Sequence, residues 1–371
     1  MKSSTPKRVA YVLPHAQLGG AEIATLRVME AHDQSRYVPV GLLFEDGPAA
    51  RHLDDVGIEH AIAPLRPRFS SGGERHAARV WLEQQITNQR IDLQHSVMAW
   101  TQALAAPAAR RAGVPAVWFQ HNRATWRSGI EVWATLSACK IVFANSRFTQ
   151  AAQQRLNIRR RPIELVYPPT MVNDAGEADS FRKAIGVAQD VVLVAVCGRL
   201  LHAKGQDIAL SALARASVNL HVALVGASAF GLEPDYPAQL ESMVEQYDLG
   251  HRVHFVGFQE DMSSVYAAAD IVLHTSRLRE TYGLVVAEAK QFGCAIVATN
   301  RGAIPELIQD GKNGMLFDPD DPAFLAQILT RLAADGDLRT RLGTAARRET
   351  AITPSHAAQQ IEQAYDRVLR S

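Results

Sequence analysis

The chain has little cysteine, no long apolar run and almost no net charge, and each shortage excludes a class of protein. Its three cysteines, Cys139, Cys197 and Cys294, are widely spaced and lie among apolar residues. This pattern is typical of buried thiols in a reducing compartment, so neither a disulfide framework nor a zinc site is expected. No apolar run approaches the roughly 20 residues that span a bilayer.

The net charge and the N-terminal residues bear on two further classes, nucleic-acid-binding proteins and secreted proteins. A formal net charge of +1 is unlike the basic character of most proteins that bind nucleic acid, so we expect no nucleic-acid partner. The N-terminal residues lead directly into a predicted strand, without the apolar stretch and cleavage site of a secretory signal. We therefore expect a cytoplasmic protein, and peripheral contact with the inner face of the membrane stays open.

Short β-branched runs alternate with longer helical patterns along the chain, which is typical of parallel sheets wrapped by helices. The predicted strands lie at 8–14, 38–45, 91–97, 114–120 and 140–146 in the first half, and at 191–198, 221–226, 252–258, 271–276 and 294–300 in the second. The sequence thus predicts an α/β protein with two Rossmann-like, doubly wound domains.

A linker is predicted at 167–180, where two prolines and a polar, acidic stretch show no periodic apolar pattern. We accordingly place an N-terminal domain at 1–170 and a C-terminal domain at 171–353. Residues 354–371 carry apolar residues at helical spacing and are expected to form a terminal helix that packs back towards the N-terminal domain.

The loop after the strand at 191–198 carries Gly198, Arg199, Lys204 and Gly205, immediately before a helical pattern. In open parallel sheets, ligands bind beyond the carboxyl ends of the strands, where this loop lies. Glycines let the backbone approach a ligand, two cations neutralise separate oxygens, and the helix N-terminus adds N–H donors. The pattern indicates a diphosphate site, and the alternative is two solvated surface charges beside a turn.

A second polar cluster follows the strand at 271–276. Glu280 precedes a helix that is predicted to begin near Tyr282 or Gly283, and Glu288 lies inside this helix. Four backbone N–H groups at the helix start are available to a phosphate, those of Tyr282, Gly283, Leu284 and Val285. Glu288 lies roughly 7 Å further along, which is the reach from a diphosphate to a ribose, so its carboxylate can accept from ribose hydroxyls.

These segments resemble those of the retaining glycosyltransferases with the GT-B fold, usually called family 4. The resemblance covers nearly the whole chain and depends on LGGAE at 18–22, GRLLHAKG at 198–205 and RETYGLVVAEAKQFGCAIVATNRGAIPELI at 279–308. It implies two Rossmann-like domains that face a central cleft. The C-terminal domain would bind a nucleotide sugar, and the N-terminal domain would present the acceptor.

The resemblance also implies roles for residues outside the two polar clusters. Gly20 would close over the diphosphate from the N-terminal domain, and Gly19 would allow the turn that this requires. His121 matches a histidine that in many relatives faces the transferred sugar. The base would be recognised through backbone groups near Gly257, Phe258 and Gln259.

Within the clusters, the resemblance implies that Arg199 and Lys204 bind the phosphates and stabilise the charge on the departing nucleotide. Glu280 would contact the donor sugar, and Glu288 would hold the ribose. Arg301 stands where the family often has glycine, close to the expected sugar pocket, so the donor sugar stays open.

The expected reaction is retaining transfer of a sugar from a UDP- or GDP-sugar to a glycan, lipid-linked or small-molecule acceptor, in the synthesis of cell-surface polysaccharide or glycoconjugate. The base, the acceptor and the oligomeric state are not fixed by the sequence. A sugar phosphorylase or sugar-nucleotide epimerase with the same fold is one alternative. A non-catalytic module that binds nucleotide sugars is another.

No metal or other cofactor is expected, because two cations and a helix N-terminus already supply positive charge to the diphosphate. Asp318-Pro319-Asp320 matches the D-x-D signature of metal-dependent transferases, but we expect it to form the turn before a helix. The basic run at 159–161 lies just before a strand and is expected to be a solvated surface. Contact of this run with anionic lipid or a lipid-linked phosphate is the alternative.

Overall fold

The computed structural model describes residues 5–170, 177–216, 218–228, 232–349 and 351–370. One unit is made of the described residues up to Thr170 and from Ile352 onwards, and the other is made of those in between. Residues 171–176 of the predicted linker lie outside the described residues. Within the described ranges, no helix is both long enough and apolar enough to cross a membrane.

The first unit is built on a parallel sheet of seven strands in the order β3-β2-β1-β4-β5-β6-β7. Strands β4 and β5 are buried at every position because helices cover both faces of the sheet. In chain order the elements are β1 Lys7–Val12, α1 Gly20–Glu30, β2 Tyr37–Leu43, α2 Pro48–Asp55, β3 His60–Ile62, α3 Gly72–Asn88, β4 Leu93–Val97, α4 Met98–Arg111, β5 Ala116–Gln120, α5 Gly129–Leu136, β6 Val142–Ala144, α6 Arg147–Leu156 and β7 Ile163–Leu165.

The second unit repeats this plan with six parallel strands in the order β10-β9-β8-β11-β12-β13. Its elements are α7 Ala178–Ala184, β8 Val192–Cys197, a 3-10 helix at His202–Lys204, α8 Gln206–Arg215, β9 Leu220–Val225, α9 Tyr236–Gln246, β10 Val253–Gly257, α10 Met262–Ala268, β11 Ile271–His274, α11 Leu284–Phe292, β12 Ala295–Thr299, α12 Ile304–Leu307, β13 Met315–Phe317, α13 Pro322–Ala334 and α14 Gly336–Arg347.

Apolar side chains cover both faces of each sheet. In β1, Val9 and Tyr11 belong to one buried cluster, whereas the alternate residues Ala10 and Val12 belong to another on the opposite face. The second sheet likewise lies between two buried clusters. Two doubly wound α/β units are therefore present, and the predicted fold class is confirmed.

The sequence did not predict the edge strands β3 and β13. Each has only three residues. β6 is equally short, but it lies in the apolar run at 141–144 that marked it as a strand. The positions of β3 and β13 depend more on the neighbouring strands with which they pair.

The last helix, α15 at Pro354–Arg370, is part of the first unit. Its apolar face packs into the same cluster as Tyr11, and the hydroxyl of Tyr365 lies 2.8 Å from the hydroxyl of Tyr11. The ring of His95 also contacts the Tyr365 hydroxyl through Nδ1. One turn earlier, Glu362 Oε1 lies 2.9 Å from Nδ1 of His32. These buried polar contacts hold α15 in one register, because a shift would leave several of the groups without partners.

Tyr365→Phe should lower the free energy of unfolding of the first unit by about 1–3 kcal/mol, since it removes a hydroxyl on which two buried groups depend. Urea unfolding followed by circular dichroism measures this change. The matched control is Tyr247→Phe, whose hydroxyl makes no hydrogen bond to a described residue, and it should change stability by less than about 0.5 kcal/mol. Equal effects of the two variants would contradict the anchoring role of Tyr365.

Candidate functional site

The second sheet changes direction between the neighbouring strands β8 and β11. From β8 the chain continues to β9 and β10 on one side, and from β11 it continues to β12 and β13 on the other. The connections that leave β8 and β11 therefore diverge and leave a crevice at the carboxyl ends of these strands, which is where doubly wound sheets bind ligands. Both polar clusters predicted from the sequence lie there, one after β8 and one after β11.

The loop after β8 packs directly against the backbone that follows β11. Gly205 has a left-handed conformation with φ +73°, and a Cβ atom at this position would lie 2.2 Å from the carbonyl oxygen of Thr275. The Thr275 hydroxyl donates to the carbonyl of Lys204 at 3.0 Å. Only glycine permits this approach, and it places the Lys204 side chain over the adjoining strand end.

Lys204 and Glu280 meet in the crevice. The ammonium Nζ of Lys204 lies 2.6 Å from Oε1 of Glu280, and the two side chains are 23% and 16% exposed. The partial burial strengthens the attraction, yet both groups can still be reached by a ligand. The structure thus places in contact two residues with different predicted roles, Lys204 towards the phosphates and Glu280 towards the donor sugar.

Burial raises the pKa of Glu280, but the charge of Lys204 and a hydrogen bond from His274 outweigh it, so the pKa of this carboxyl lies well below its usual range. The group is therefore a carboxylate at neutral pH. Because its pKa is depressed by folding, the stabilisation is present above the pKa of an unfolded glutamate, about 4.3, and is lost as the pH falls towards the folded value.

His274, the last residue of β11, was not among the predicted site residues. Its Nε2 lies 3.5 Å from Oε1 of Glu280, and its Nδ1 lies 3.4 Å from Oγ1 of Thr299. A tautomer protonated on Nε2 would donate to the carboxylate and accept from the threonine hydroxyl. The sequence feature that could have identified His274 is its position at the carboxyl end of a predicted strand.

The backbone of Glu280 is held by the loop after β12. The N–H of Ala303 donates to the carbonyl of Glu280 at 2.8 Å. At the preceding Gly302, φ is +68°, and a Cβ atom would lie 2.2 Å from the same carbonyl oxygen. Three strand-end loops of the second unit thus converge on the Lys204–Glu280 pair.

A second ion pair ties α8 to the segment after β11. Arg277 contacts the carboxylate of Asp207 through both terminal nitrogens, at 2.7 and 2.6 Å. Arg277 also donates to the carbonyl of His202 at 2.8 Å. These contacts hold the 3-10 turn that ends at Lys204, and no local sequence pattern predicted the ion pair.

Helix α11 begins at Leu284, slightly later than the start predicted near Tyr282 or Gly283. Gly283 is the N-cap residue and has φ +102°, and no side chain caps the helix. The N–H groups of Leu284 and Val285 lie in the first turn, where no helical carbonyl can accept from them. The predicted phosphate-binding end of the helix is therefore formed by Gly283 to Val285, and Tyr282 precedes it as a buried side chain.

Glu288 lies inside α11, as predicted, and is 5% exposed. The hydroxyl of Tyr266 donates to its Oε2 at 3.1 Å. Burial and the nearby Glu288 charge raise the pKa of Tyr266 well above its usual range, so the phenol stays protonated and able to donate. A carboxylate has further lone pairs, so this contact is compatible with the predicted role towards a ribose.

Arg199, Gly257 and Phe258 lie at the same edge of the second sheet. The carbonyl of Arg199 accepts from Nε2 of Gln206 at 2.9 Å, which ties this residue to the start of α8. Gly257 ends β10 with φ +77°, and its carbonyl accepts from the N–H of Gly226 at 2.8 Å. The Phe258 side chain is 67% exposed, and its predicted role beside the base stays a prediction.

Gly19, Gly20 and His121 belong to the first unit, so the structure does not group them with the residues above. Gly20 begins α1, and Gly19 is its N-cap with φ −111°, an extended conformation that requires no glycine. The expectation that Gly19 supplies the freedom for a special turn is thus wrong for this conformation. A Cβ atom at Gly19 would lie 2.8 Å from Oε2 of Glu22, at the far end of a flexible side chain that can shift, so space does not require glycine there either.

His121 directly follows β5 and is buried against Phe119, with ring centroids 4.3 Å apart. Burial lowers its pKa to about 3, so the imidazole is neutral at physiological pH. Its Nε2 has no hydrogen-bond partner among the described residues. A buried polar atom without a partner is uncommon and marks a position where a ligand or water can bind.

The aspartates of the D-x-D sequence form a turn before α13, as predicted. The carboxylate of Asp318 accepts from the N–H of Asp320 at 3.0 Å, and α13 begins two residues later at Pro322. Arg301 contacts the carboxylates of both Asp318 and Asp320. Among the described residues, no group of three or more histidine, cysteine, aspartate or glutamate side chains is arranged to hold a metal ion.

Two family models match adjacent parts of the chain. The model described as Glycosyltransferase Family 4 matches residues 18–172, and the model described as Glycosyl transferases group 1 matches residues 177–349. The chain belongs to the family 4 glycosyltransferases. The loops after β8, β11 and β12 lie inside the range matched by the second of these models.

A protein of known structure shares the fold along nearly its entire length. Anabaena HepE, in a complex with UDP and glucose, is 26% identical, and the match covers 97% of this chain and 100% of that chain with a TM-score of 0.86. This likeness confirms the predicted GT-B fold. UDP and glucose are ligands of that protein.

Relatives named D-inositol 3-phosphate glycosyltransferase also match. The one from Corynebacterium jeikeium is 33% identical over 184 residues, which are 48% of this chain and only 42% of the relative. The chain thus aligns with less than half the length of that relative. The one from Catenulispora acidiphila is 25% identical over an alignment 374 positions long, and the alignment covers 90% of this chain and 89% of the relative.

Gly302→Ala should displace the Glu280 backbone, and Gly311→Ala provides a matched control. Both glycines have nearly the same φ, +68° and +70°, but a Cβ atom at Gly311 meets nothing within 4 Å. Gly311→Ala should lower the free energy of unfolding by about 1–2 kcal/mol, from backbone strain alone. Gly302→Ala should lower it by about 1–3 kcal/mol more than the control does, because of the steric clash. Urea unfolding measures both, and equal losses would show that the contact with Glu280 does not constrain the loop.

Proposed function

We propose that this chain is a retaining, metal-independent hexosyltransferase that works in the cytoplasm. It moves a sugar from a UDP- or GDP-sugar to a glycan, lipid-linked or small-molecule acceptor, in the synthesis of cell-surface polysaccharide or glycoconjugate. The observation that carries this proposal is the Lys204–Glu280 contact, 2.6 Å long, at the point where the second sheet changes direction. The UDP and glucose bound to HepE support a nucleotide-sugar donor.

The Lys204–Glu280 pair suits the two halves of a sugar diphosphate. When the donor binds, the ammonium of Lys204 remains attached to Glu280 and also attracts a phosphate oxygen. Glu280, fixed as a carboxylate, accepts hydroxyl groups of the sugar. Arg199 and the first N–H groups of α11 add positive charge from neighbouring loops, and Glu288 accepts from the ribose.

In the reaction, the bond between the anomeric carbon and the phosphate oxygen breaks, and its electron pair stays on the nucleoside diphosphate. The negative charge that develops on this oxygen is stabilised by Lys204, Arg199 and the N-terminus of α11. The acceptor oxygen forms the new bond to the anomeric carbon, and its proton passes to the departing diphosphate. Because the leaving diphosphate itself is basic, little help from a separate strong base is needed. The neutral imidazole of His121 would contact the transferred sugar as a hydrogen-bonding group.

The experiment that tests the proposal is a screen of radiolabelled UDP- and GDP-sugars for nucleoside diphosphate release. Slow hydrolysis of one donor without acceptor identifies the base and the sugar. Addition of candidate acceptors, including inositol phosphates because of the names of the relatives, then identifies transfer. Retained configuration at the new glycosidic bond is read by nuclear magnetic resonance. Phosphate-dependent cleavage, epimerised donor without transfer, or binding without turnover would each contradict it.

Lys204→Ala should reduce kcat on the order of hundredfold or more, because the lost charge matters most as the diphosphate departs. Arg199→Ala should have a similar effect. The control is Lys312→Ala, which removes an exposed lysine of the same unit and should leave kcat unchanged. Steady-state rates with the donor found in the screen provide the measurement, and near-normal turnover in both test variants would show that the phosphate assignment is wrong.

Transfer should persist in excess EDTA, with at most modest stimulation by Mg²⁺. The positive charge that a divalent ion would provide comes from Lys204, Arg199 and the helix N-terminus instead. Asp318→Ala should therefore retain activity, since Asp318 pairs with Arg301. Activity that is abolished by EDTA, restored by Mn²⁺ and lost again in Asp318→Ala would refute the metal-free mechanism.

A further inference from the structure

A crevice with a volume of about 870 Å³ lies in the first unit, on residues that the proposed reaction does not use. Four basic side chains line it, those of Arg110, Lys140, Arg159 and Arg161. Apolar residues line the remainder, among them Val114, Pro115, Val368 and Leu369. The crevice thus combines several cations with an apolar wall.

The crevice lies at the opposite edge of the sheet from His121. Much of its lining comes from the segments that lead into β5, β6 and β7, at residues 113–116, 138–140, 159 and 161, and the rest comes from α4 and α15. Because all strands of this sheet are parallel, these amino ends share one edge, and the loop with His121 follows the carboxyl end of β5. The crevice is therefore separate from the edge at which an acceptor is expected.

The arginines at 159–161 are held by a defined turn. Asn157 accepts from the N–H of Arg161 through Oδ1 at 3.0 Å and donates to the carbonyl of Arg161 through Nδ2 at 2.7 Å. Arg160 has a left-handed conformation with φ +50° and does not line the crevice. The Arg161 guanidinium donates to the carbonyl of Thr135 at 2.9 Å. The backbone thus presents Arg159 and Arg161 to the crevice and leaves out the arginine between them.

The described lining of the crevice carries no acidic side chain, neither aspartate nor glutamate. Glu164, in the neighbouring strand β7, is already bound at two points by Arg367, at 2.6 and 2.7 Å. Cys139, which lies 3.2 Å from the Arg161 guanidinium, adds no charge, because burial raises the pKa of its thiol to about 11. Arg110, Arg159 and Arg161 face no acid among the described lining residues, and like charges repel one another unless an anion binds between them.

Exposed apolar side chains continue from the crevice onto the surface. Ile158, next to the arginine run, is 59% exposed, and Leu136 at the end of α5 is 42% exposed. Leu136 lines a second cavity of about 590 Å³, which shares Arg110 and Ala138 with the first. A ligand that matches this face has an anionic group beside an apolar one.

We propose that this crevice binds a phosphate ester that carries an apolar chain. The planar guanidinium groups of Arg110, Arg159 and Arg161 match the oxygens of a phosphate, and the apolar chain covers Val114, Leu369 and the exposed Ile158. The phosphate ester has two sources with the same chemistry, the headgroup of an anionic lipid in a membrane and a free ester in solution. Binding here does not depend on catalysis in the other unit.

Two binding measurements on the full chain test the proposal. Calorimetry with hexyl phosphate, against hexanol and inorganic phosphate, measures binding of a free ester. Co-sedimentation with vesicles of phosphatidylcholine, with or without phosphatidylglycerol, measures binding to a lipid surface. The test variant is Arg110→Gln/Arg159→Gln, and both of its positions are exposed. The matched control is Arg160→Gln, which removes the same charge from the same segment outside the crevice.

The double variant should weaken binding about tenfold or more in the assay that detects a ligand, whereas Arg160→Gln should change it less than about twofold. Binding of phosphatidylglycerol vesicles alone assigns the lipid source, and binding of hexyl phosphate alone assigns the free ester. Binding in neither assay overturns the proposal, as does an equal loss in Arg160→Gln, which would indicate diffuse surface charge. If the double variant fails to fold, the single variant Arg110→Gln is compared with Arg160→Gln instead. It should weaken binding more than Arg160→Gln does, and an equal loss overturns the proposal.

Discussion

The close approach of three backbone segments at the carboxyl edge of the second sheet is the constraint on which the candidate site depends. Gly205 lets the loop after β8 contact the carbonyl of Thr275, and Gly302 lets the loop after β12 contact the carbonyl of Glu280. At both positions a Cβ atom would come within 2.2 Å of a carbonyl oxygen, far inside contact distance. Lys204 and Glu280 therefore meet because the main chains around them are nearly in contact.

This arrangement lets the protein keep a charged pair in the crevice without neutralising it. An ammonium and a carboxylate that are both partly withdrawn from water need excellent geometry and further hydrogen bonds, otherwise the desolvation cost exceeds the attraction. His274 supplies such a contact to Glu280, and the carbonyl of Lys204 is held by Thr275. A charged ligand then meets groups that are already oriented, so little reorganisation is required when it binds.

The sequence predicted the fold class and the strand-end loops that carry the polar clusters, because long β-branched runs and glycine-rich turns are local signals. It did not predict that Lys204 and Glu280, which are 76 residues apart, share a contact. That contact depends on the order of strands in the sheet, which no local pattern contains. His274 was missed because a histidine at the end of an apolar run resembles any other strand residue. The conformation of Gly19 was missed because a glycine in a motif does not reveal its φ angle.

The first unit is made of two stretches of chain that are separated by the whole second unit. The chain leaves at Thr170 and returns at Ile352, where the N–H of Thr170 donates to the carbonyl of Ile352 at 3.0 Å. The apolar cluster around Tyr11 includes Ile361 and Tyr365 of α15. During synthesis on the ribosome, the N-terminal sheet consequently has an uncovered apolar surface until α15 has emerged. The second unit, whose residues are contiguous, can therefore complete its core while the core of the first unit still lacks α15, although synthesis of the first unit begins earlier.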